Sequence, residues 1–204
     1  MADWGPRWLV EERDACGVGF VADRQGRASH DLVEKALTAL GCMEHRGGCS
    51  ADRDSGDGAG VMTAIPWEML NQWAGSVNVP ALEPERSAVG MVFLPQHDQA
   101  AALAKSVFEQ SVAEMELTLL GWRQPPVRPE VLGDQALKNL PQIEQVILTS
   151  ETLNGDGLER ELYLLRRHIL KALRQKREAL GANHPVAQAL EEFYVCSMSC
   201  RTIV

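Results

Sequence analysis

The chain has 204 residues, 45% hydrophobic and 24% charged, with 20 Lys and Arg against 28 Asp and Glu for a net charge of −8. That composition supports a sizeable core, excludes a wholly disordered chain, and makes nucleic acid or an anionic membrane a poor partner. No window of about 18 residues is uninterruptedly apolar, and residues 1–15 carry Asp3, Arg7, Glu11, Glu12, Arg13 and Asp14 in place of a signal-peptide apolar region. Five cysteines, an odd count without small-scaffold spacing, point to reduced thiols in the cytoplasm. Composition alone thus describes a soluble, acidic, cytoplasmic domain mixing helix and strand.

In chain order, residues 17–23 (GVGFVAD) read as a short strand. A helix is predicted over 31–44, with Asp31 and Glu34 as a capping box and Leu32, Ala36, Leu37, Leu40 and Met43 on one apolar face. Residues 47–60 form a loop rich in glycine and aspartate. A strand at 61–65 leads to Pro66, placed to open a short helix through Trp73. Strands follow at 88–94, 117–122 and 143–149, with an Ala-rich helix at 99–116 and a proline-rich connection at 124–129. Asn154-Gly155 marks a turn before a long helix over 158–180, whose buried stripe is Leu162, Leu165, Ile169 and Leu173. Residues 193–204 read as one alternating strand that stops without a turn or cap, so the domain is expected to be interrupted there.

Two stretches carry chemistry-bearing residues. Cys16 opens Cys16-Gly17-Val18-Gly19-Phe20, where the two glycines leave room for another group beside the backbone. A packed structural thiol is one reading. The other needs removal of residues 1–15, which gives Cys16 a free α-amine titrating near roughly 7.7–8.0, able to act as base for its own thiol. The second stretch is His45-Arg46-Gly47-Gly48, Asp52, then Ser55-Gly56-Asp57-Gly58-Ala59-Gly60. Arg46 beside two glycines can offer its planar fork to a carboxylate, or it can serve as a structural arginine at a helix end. The loop including Gly47, Asp57 and Gly58 is either a pocket wall or a surface turn. A phosphate cradle fits poorly, because its G-x-G-x-G spacing precedes a strand rather than opening a helix. Cys42, His45 and Cys49 lack a second ligand pair at zinc spacing, so no metal is assigned. His45 reads as a packed neighbour of the site. Cys42, Cys49, Cys196, Cys200 and the five tryptophans are expected in the core, and Cys196 with Cys200 lacks the four ligands of an iron–sulfur site.

These motifs resemble a known family. Asp14-Ala15-Cys16-Gly17-Val18-Gly19-Phe20, His45-Arg46-Gly47 and Gly56-Asp57-Gly58-Ala59-Gly60 look like the start of the glutamate synthase large subunit. The likeness continues through Gly121-Trp122-Arg123, Leu132-Gly133, Glu159-Arg160-Glu161-Leu162-Tyr163 with Arg166, Phe193-Tyr194-Val195-Cys196-Ser197, and residues 199–204. The resembled region is a class II glutamine amidotransferase domain of the N-terminal-nucleophile hydrolase family. The resemblance implies an α+β fold, an incomplete sandwich of helical layers around two antiparallel sheets. It divides the chain into a propeptide-like segment, 1–15, and a domain portion, 16–204.

By the same resemblance, Cys16 is the catalytic nucleophile that hydrolyses L-glutamine, and Arg46 holds the substrate's α-carboxylate. The ammonia released would serve glutamate synthesis from 2-oxoglutarate elsewhere in a full-length oxidoreductase carrying FMN and a 3Fe–4S cluster, with no cofactor in this segment. One departure stands out: the family's downstream Asn-Gly oxyanion pair has no counterpart, since Asn154-Gly155 sits in a different setting. A glutaminase completed by further glutamate synthase domains is therefore expected, with an inactive truncated fragment or assembly module needing a second chain as the alternative. The isolated chain is expected to have little glutaminase activity, and its open sheet edges to favour association.

Overall fold

A computed structural model describes residues 17–43, 52, 54–56, 58–115 and 117–204. In chain order its helices and strands are α1 (His30–Gly41), β1 (Thr63–Ala64), α2 (Trp67–Ser76), β2 (Ser87–Leu94), α3 (Asp98–Glu114) and β3 (Thr118–Arg123). Then come α4 (Asp134–Lys138), β4 (Gln142–Thr149), α5 (Gly155–Leu180), α6 (Pro185–Ala189), β5 (Tyr194–Ser199) and β6 (Thr202–Ile203). Two compact units result, one from residues 1–61 with 129–138, the other from 62–128 with 139–204.

The second unit holds both sheets. One has four strands in the order β3-β4-β2-β5, the other pairs β1 with β6, and every pairing is antiparallel. The fold is α+β, as expected. Alternation along the strands splits the side chains between two faces. On one face Ala88, Val92, Leu94, Val146, Leu148 and Val195 pack against Ala100, Ala104, Phe108 and Val112 of α3 and Leu158, Leu162, Leu165 and Ile169 of α5. On the other, Val89 and Ile147 meet Leu70 and Ala74 of α2, with Ile65, Leu82 and Ile203. The large sheet is therefore buried on both sides.

Gly90 in the middle of β2 is required by that packing. A Cβ there would lie 2.7 Å from Val146 Cγ1, well inside ordinary contact. The helix stripe Leu162, Leu165, Ile169 and Leu173 is buried as the 3.6-residue period predicts. Asn154 is the residue just before α5, and Gly181 closes that helix at φ +88, a left-handed conformation that glycine adopts without a Cβ penalty. Lys105 of α3 reaches Glu144 of β4 at 2.6 Å while lying 5.1 Å above the Trp122 ring, and Trp122 meets Phe108 edge-on at 5.2 Å.

Several expectations are corrected. Residues 17–23 form no strand: no strand among the described residues pairs with them, and Val18 and Phe20 are almost fully exposed. β propensity without a ladder partner does not make a strand. The helix predicted at 31–44 runs His30–Gly41 and its capping box does not form, because the boundary falls at Ser29. Asp31 instead pairs with Lys35 and Glu34 meets the His30 ring at 3.1 Å, both at i,i+4 spacing. Its apolar face is not buried among the described residues, and Leu37 is about half exposed. Pro66 precedes α2 rather than opening it. The strand predicted at 193–204 breaks at Cys200-Arg201 into β5 and β6, which join different sheets. Cys42 is exposed and Cys196 half-buried; only Cys200 of these three is a core thiol. Trp67, Trp73 and Trp122 are half-buried against the core rather than inside it, while Trp4, Trp8 and Cys49 lie outside the described residues.

Candidate functional site

In the first unit, the glycine-rich loop is tied down by one carboxylate. Asp52 Oδ1 accepts the backbone N–H groups of Asp54 at 3.2 Å and Ser55 at 2.9 Å, an Asx-type turn over three residues. Its other oxygen, Oδ2, accepts the Ser55 hydroxyl at 2.6 Å and the Gln135 N–H at 3.2 Å. Ser55 Oγ in turn accepts the Ala136 N–H at 3.0 Å. Two otherwise unpaired amides in the first turn of α4 are thus satisfied from a loop some 80 residues earlier in the chain. The Ser55 hydroxyl and then the Ser55 amide hold the Asp52 carboxyl far below the usual carboxylate range; burial opposes them, and the Asp54 and Gln135 amides add smaller contributions in the same direction as Ser55.

Gly133 completes the junction. A Cβ on it would sit 2.6 Å from Ser55 Oγ, 2.8 Å from Ser55 N and 3.0 Å from Asp52 Oδ2. The Leu132-Gly133 pair, noted in the sequence only through its resemblance, thus has a steric reason. Three residues beyond Ser55, Gly58 takes φ +91, a backbone conformation that side-chain-bearing residues rarely adopt.

Of the five residues given a catalytic, substrate-binding or pocket role from sequence, Gly58 is the one the structure describes. Cys16, Arg46, Gly47 and Asp57 lie outside the described residues, as do His45 and Gly48. No described atom approaches within 4 Å of the position a Gly19 Cβ would occupy. The metal alternative at Cys42 involves His45 and Cys49, which are also outside; among the described residues no three His, Cys, Asp or Glu side chains converge to hold an ion.

The second unit contains a polar knot that sequence reasoning left without a role. Glu159 Oε1, on the first turns of α5, accepts the Ser199 hydroxyl at 2.7 Å and the Cys200 N–H at 2.6 Å. Ser199 Oγ accepts the N–H groups of Arg201 at 2.9 Å and Thr202 at 3.2 Å, and Arg201 pairs with Asp156. These bonds turn the chain from β5 into β6. Burial pushes the Glu159 carboxyl up, but the Ser199 and Cys200 donors and the Arg201 charge outweigh it and hold it below its ordinary value. The Cys200 thiol goes the other way, to about 11, through burial and then the adjoining Glu159 carboxylate. A partnership across 40 residues leaves no periodic trace in a single sequence; the one signal was that both segments carry the family resemblance.

Comparison with known proteins agrees with that resemblance. The family described as "Glutamine amidotransferases class-II" matches residues 16–204. Ferredoxin-dependent glutamate synthase 2 of Synechocystis is 55% identical over 201 residues, 98% of this chain and 12% of its own length. The ferredoxin-dependent glutamate synthases of Pyropia yezoensis and rice are 46% and 43% identical over 96% of the chain, again 12% of their length. The chain therefore spans about an eighth of the length of these curated relatives. A family match that takes in 16–204, all but the first fifteen residues, places the chain among the class II glutamine amidotransferases.

Proposed function

We propose that this chain is the glutamine-hydrolysing front of a glutamate synthase, with residues 1–15 as a propeptide and 16–204 as the amidotransferase portion. The observation that carries the reading is the register of the family match, which begins at Cys16 itself. Removal of residues 1–15 gives Cys16 an α-amine within reach of its own thiol. The amine takes the thiol proton, and the thiolate attacks the side-chain amide carbon of glutamine. The amine then returns the proton to the leaving nitrogen, so ammonia departs and a thioester remains. Water attacks the thioester carbonyl, glutamate leaves, and the thiol is restored. In this scheme Arg46 pairs with the substrate's α-carboxylate, while Gly47, Asp57 and Gly58 form the pocket wall.

The ammonia would pass to further domains of the longer protein for glutamate synthesis from 2-oxoglutarate, in a cytoplasmic or equivalent reducing compartment. The relatives are named as ferredoxin-dependent enzymes, which supports ferredoxin as the electron donor of the parent protein. FMN and a 3Fe–4S cluster belong, on this reading, to those other domains. The described thiols do not fit a cluster: Cys42 is exposed, Cys196 half-buried, and Cys200 donates to the Gly155 carbonyl.

The test uses the protein as its native cells produce it. Its N-terminal residue should be Cys16, and glutamate release from glutamine should vanish in Cys16→Ala. A native N-terminus at Met1 or Ala2 together with release that survives Cys16→Ala refutes the proposal. No release from the wild-type protein favours the assembly-module alternative.

A further inference from the structure

We infer that Asp52 and Ser55 form a positioning latch that sets the glycine loop through Gly58 against α4, and thereby the affinity for glutamine. The inference rests on the glutaminase reading above. Neither residue is assigned a role by the resemblance or by the family match. Three observations in the first unit converge on it. The Asp52 carboxylate spends both oxygens on four donors, three within the loop (the Asp54 and Ser55 amides and the Ser55 hydroxyl) and one, the Gln135 N–H, from α4. Ser55 is 95% shielded from solvent, so its hydroxyl, given to Asp52 and taking the Ala136 N–H, cannot exchange these partners for water. Gly133 has no room for a methyl group, so loop and helix are held in direct contact.

A carboxylate serving four donors defines one loop conformation far better than a turn alone. Asp52 and Ser55 supply no group to the proposed chemistry; the latch acts through the loop backbone, in which Gly58 takes φ +91. Its loss should therefore show in substrate binding rather than in bond making. Asp52→Asn places an NH₂ group against two donors, and Ser55→Ala removes the hydroxyl that bridges to Ala136.

Steady-state glutaminase kinetics on the protein from its native host test the idea. Asp52→Asn and Ser55→Ala should each raise KM for glutamine about tenfold with kcat held within about twofold, as expected when uniform binding is lost. The double variant should be no worse than the weaker-binding single one, because both break the same network. Gly133→Ala should reproduce the KM effect by forcing Ser55 away. An unchanged KM in both single variants overturns the inference, as does a fall in kcat alone with a lowered melting temperature, the signature of a merely structural role. Ser55→Ala decides the matter if Asp52→Asn does not fold. Absence of glutamate release from wild type overturns the glutaminase reading and the latch together, whereas normal wild-type kinetics with silent variants overturn the latch alone.

Discussion

Gly90 offers the sharpest test of how the large sheet is packed. Replacing it with alanine places a methyl carbon 2.7 Å from Val146 Cγ1, about 0.7 Å inside ordinary contact, with Met198 Cγ and the Ser197 carbonyl at 3.6 Å on its other sides. Val146 is fully buried and β-branched, so its restricted χ1 and packed surroundings leave it little room to swing clear. Overpacking of this kind costs about 1–3 kcal/mol, while removing a glycine from a strand interior gains roughly 0.5–1 kcal/mol of chain entropy. The clash wins, and Gly90→Ala should destabilise the second unit by about 1–2 kcal/mol. Val146→Ala alone should cost about 2 kcal/mol as a cavity. In the double variant the new methyl occupies the vacated space, so the pair should be at least about 1 kcal/mol more stable than the sum of the singles predicts. Urea unfolding followed by tryptophan fluorescence gives all four corners of the cycle. Additivity within about 0.5 kcal/mol would refute the packing argument, because residues in contact must couple.

Glu159→Gln should cost about 1 kcal/mol at pH 7, after discounting for the partial exposure of the site. The Glu159 carboxyl lies below its ordinary value when folded, so its contribution is present above about pH 4.3 and disappears as pH falls through the folded value. The difference between wild type and Glu159→Gln in urea midpoints should therefore shrink on acidification, and a pH-independent difference would contradict the Ser199 and Cys200 bonding. The Cys200 thiol, buried and raised to about 11, should resist iodoacetamide at pH 8 and label only in denaturant. Peptide mass mapping should meanwhile find the exposed Cys42 modified; labelling of native Cys200 would show that the β5–β6 turn opens.

What could be read from the sequence was whatever depends on local period. The stripe Leu162, Leu165, Ile169 and Leu173 and the strands at β2, β3 and β4 emerged within a residue or a few of their observed bounds, because burial on one face repeats at a fixed interval. Residues 17–23 misled, since Val18, Phe20 and Val21 have strand-forming side chains whose pairing depends on a partner no local pattern reveals. The same limit hid the break at Cys200-Arg201: alternation continues through residues 193–204, and what divides it is Glu159, 40 residues earlier. At the candidate site, Gly58 takes φ +91 within the stretch read from sequence as a loop. Asp52 and Ser55 carried the Asp-x-x-Ser spacing of a side-chain turn, but their partners Gly133, Gln135 and Ala136 come from a distant segment.

The pairing of β1 with β6 also bears on how the molecule is made. Thr63 bonds in register with Ile203, about 140 residues later, and the cluster around Leu70, Ala74, Val89 and Ile147 includes Ile203. During synthesis α2 and the central strands leave the ribosome long before the residue that seals them, so that side of the sheet stays open to solvent while translation proceeds. The helix-covered face is no quicker to finish, since Val195 belongs to it. Connections of such span make for slow closure and a long exposure of apolar strands. The nascent polypeptide is therefore a natural client for chaperones until residues 194–203 have emerged.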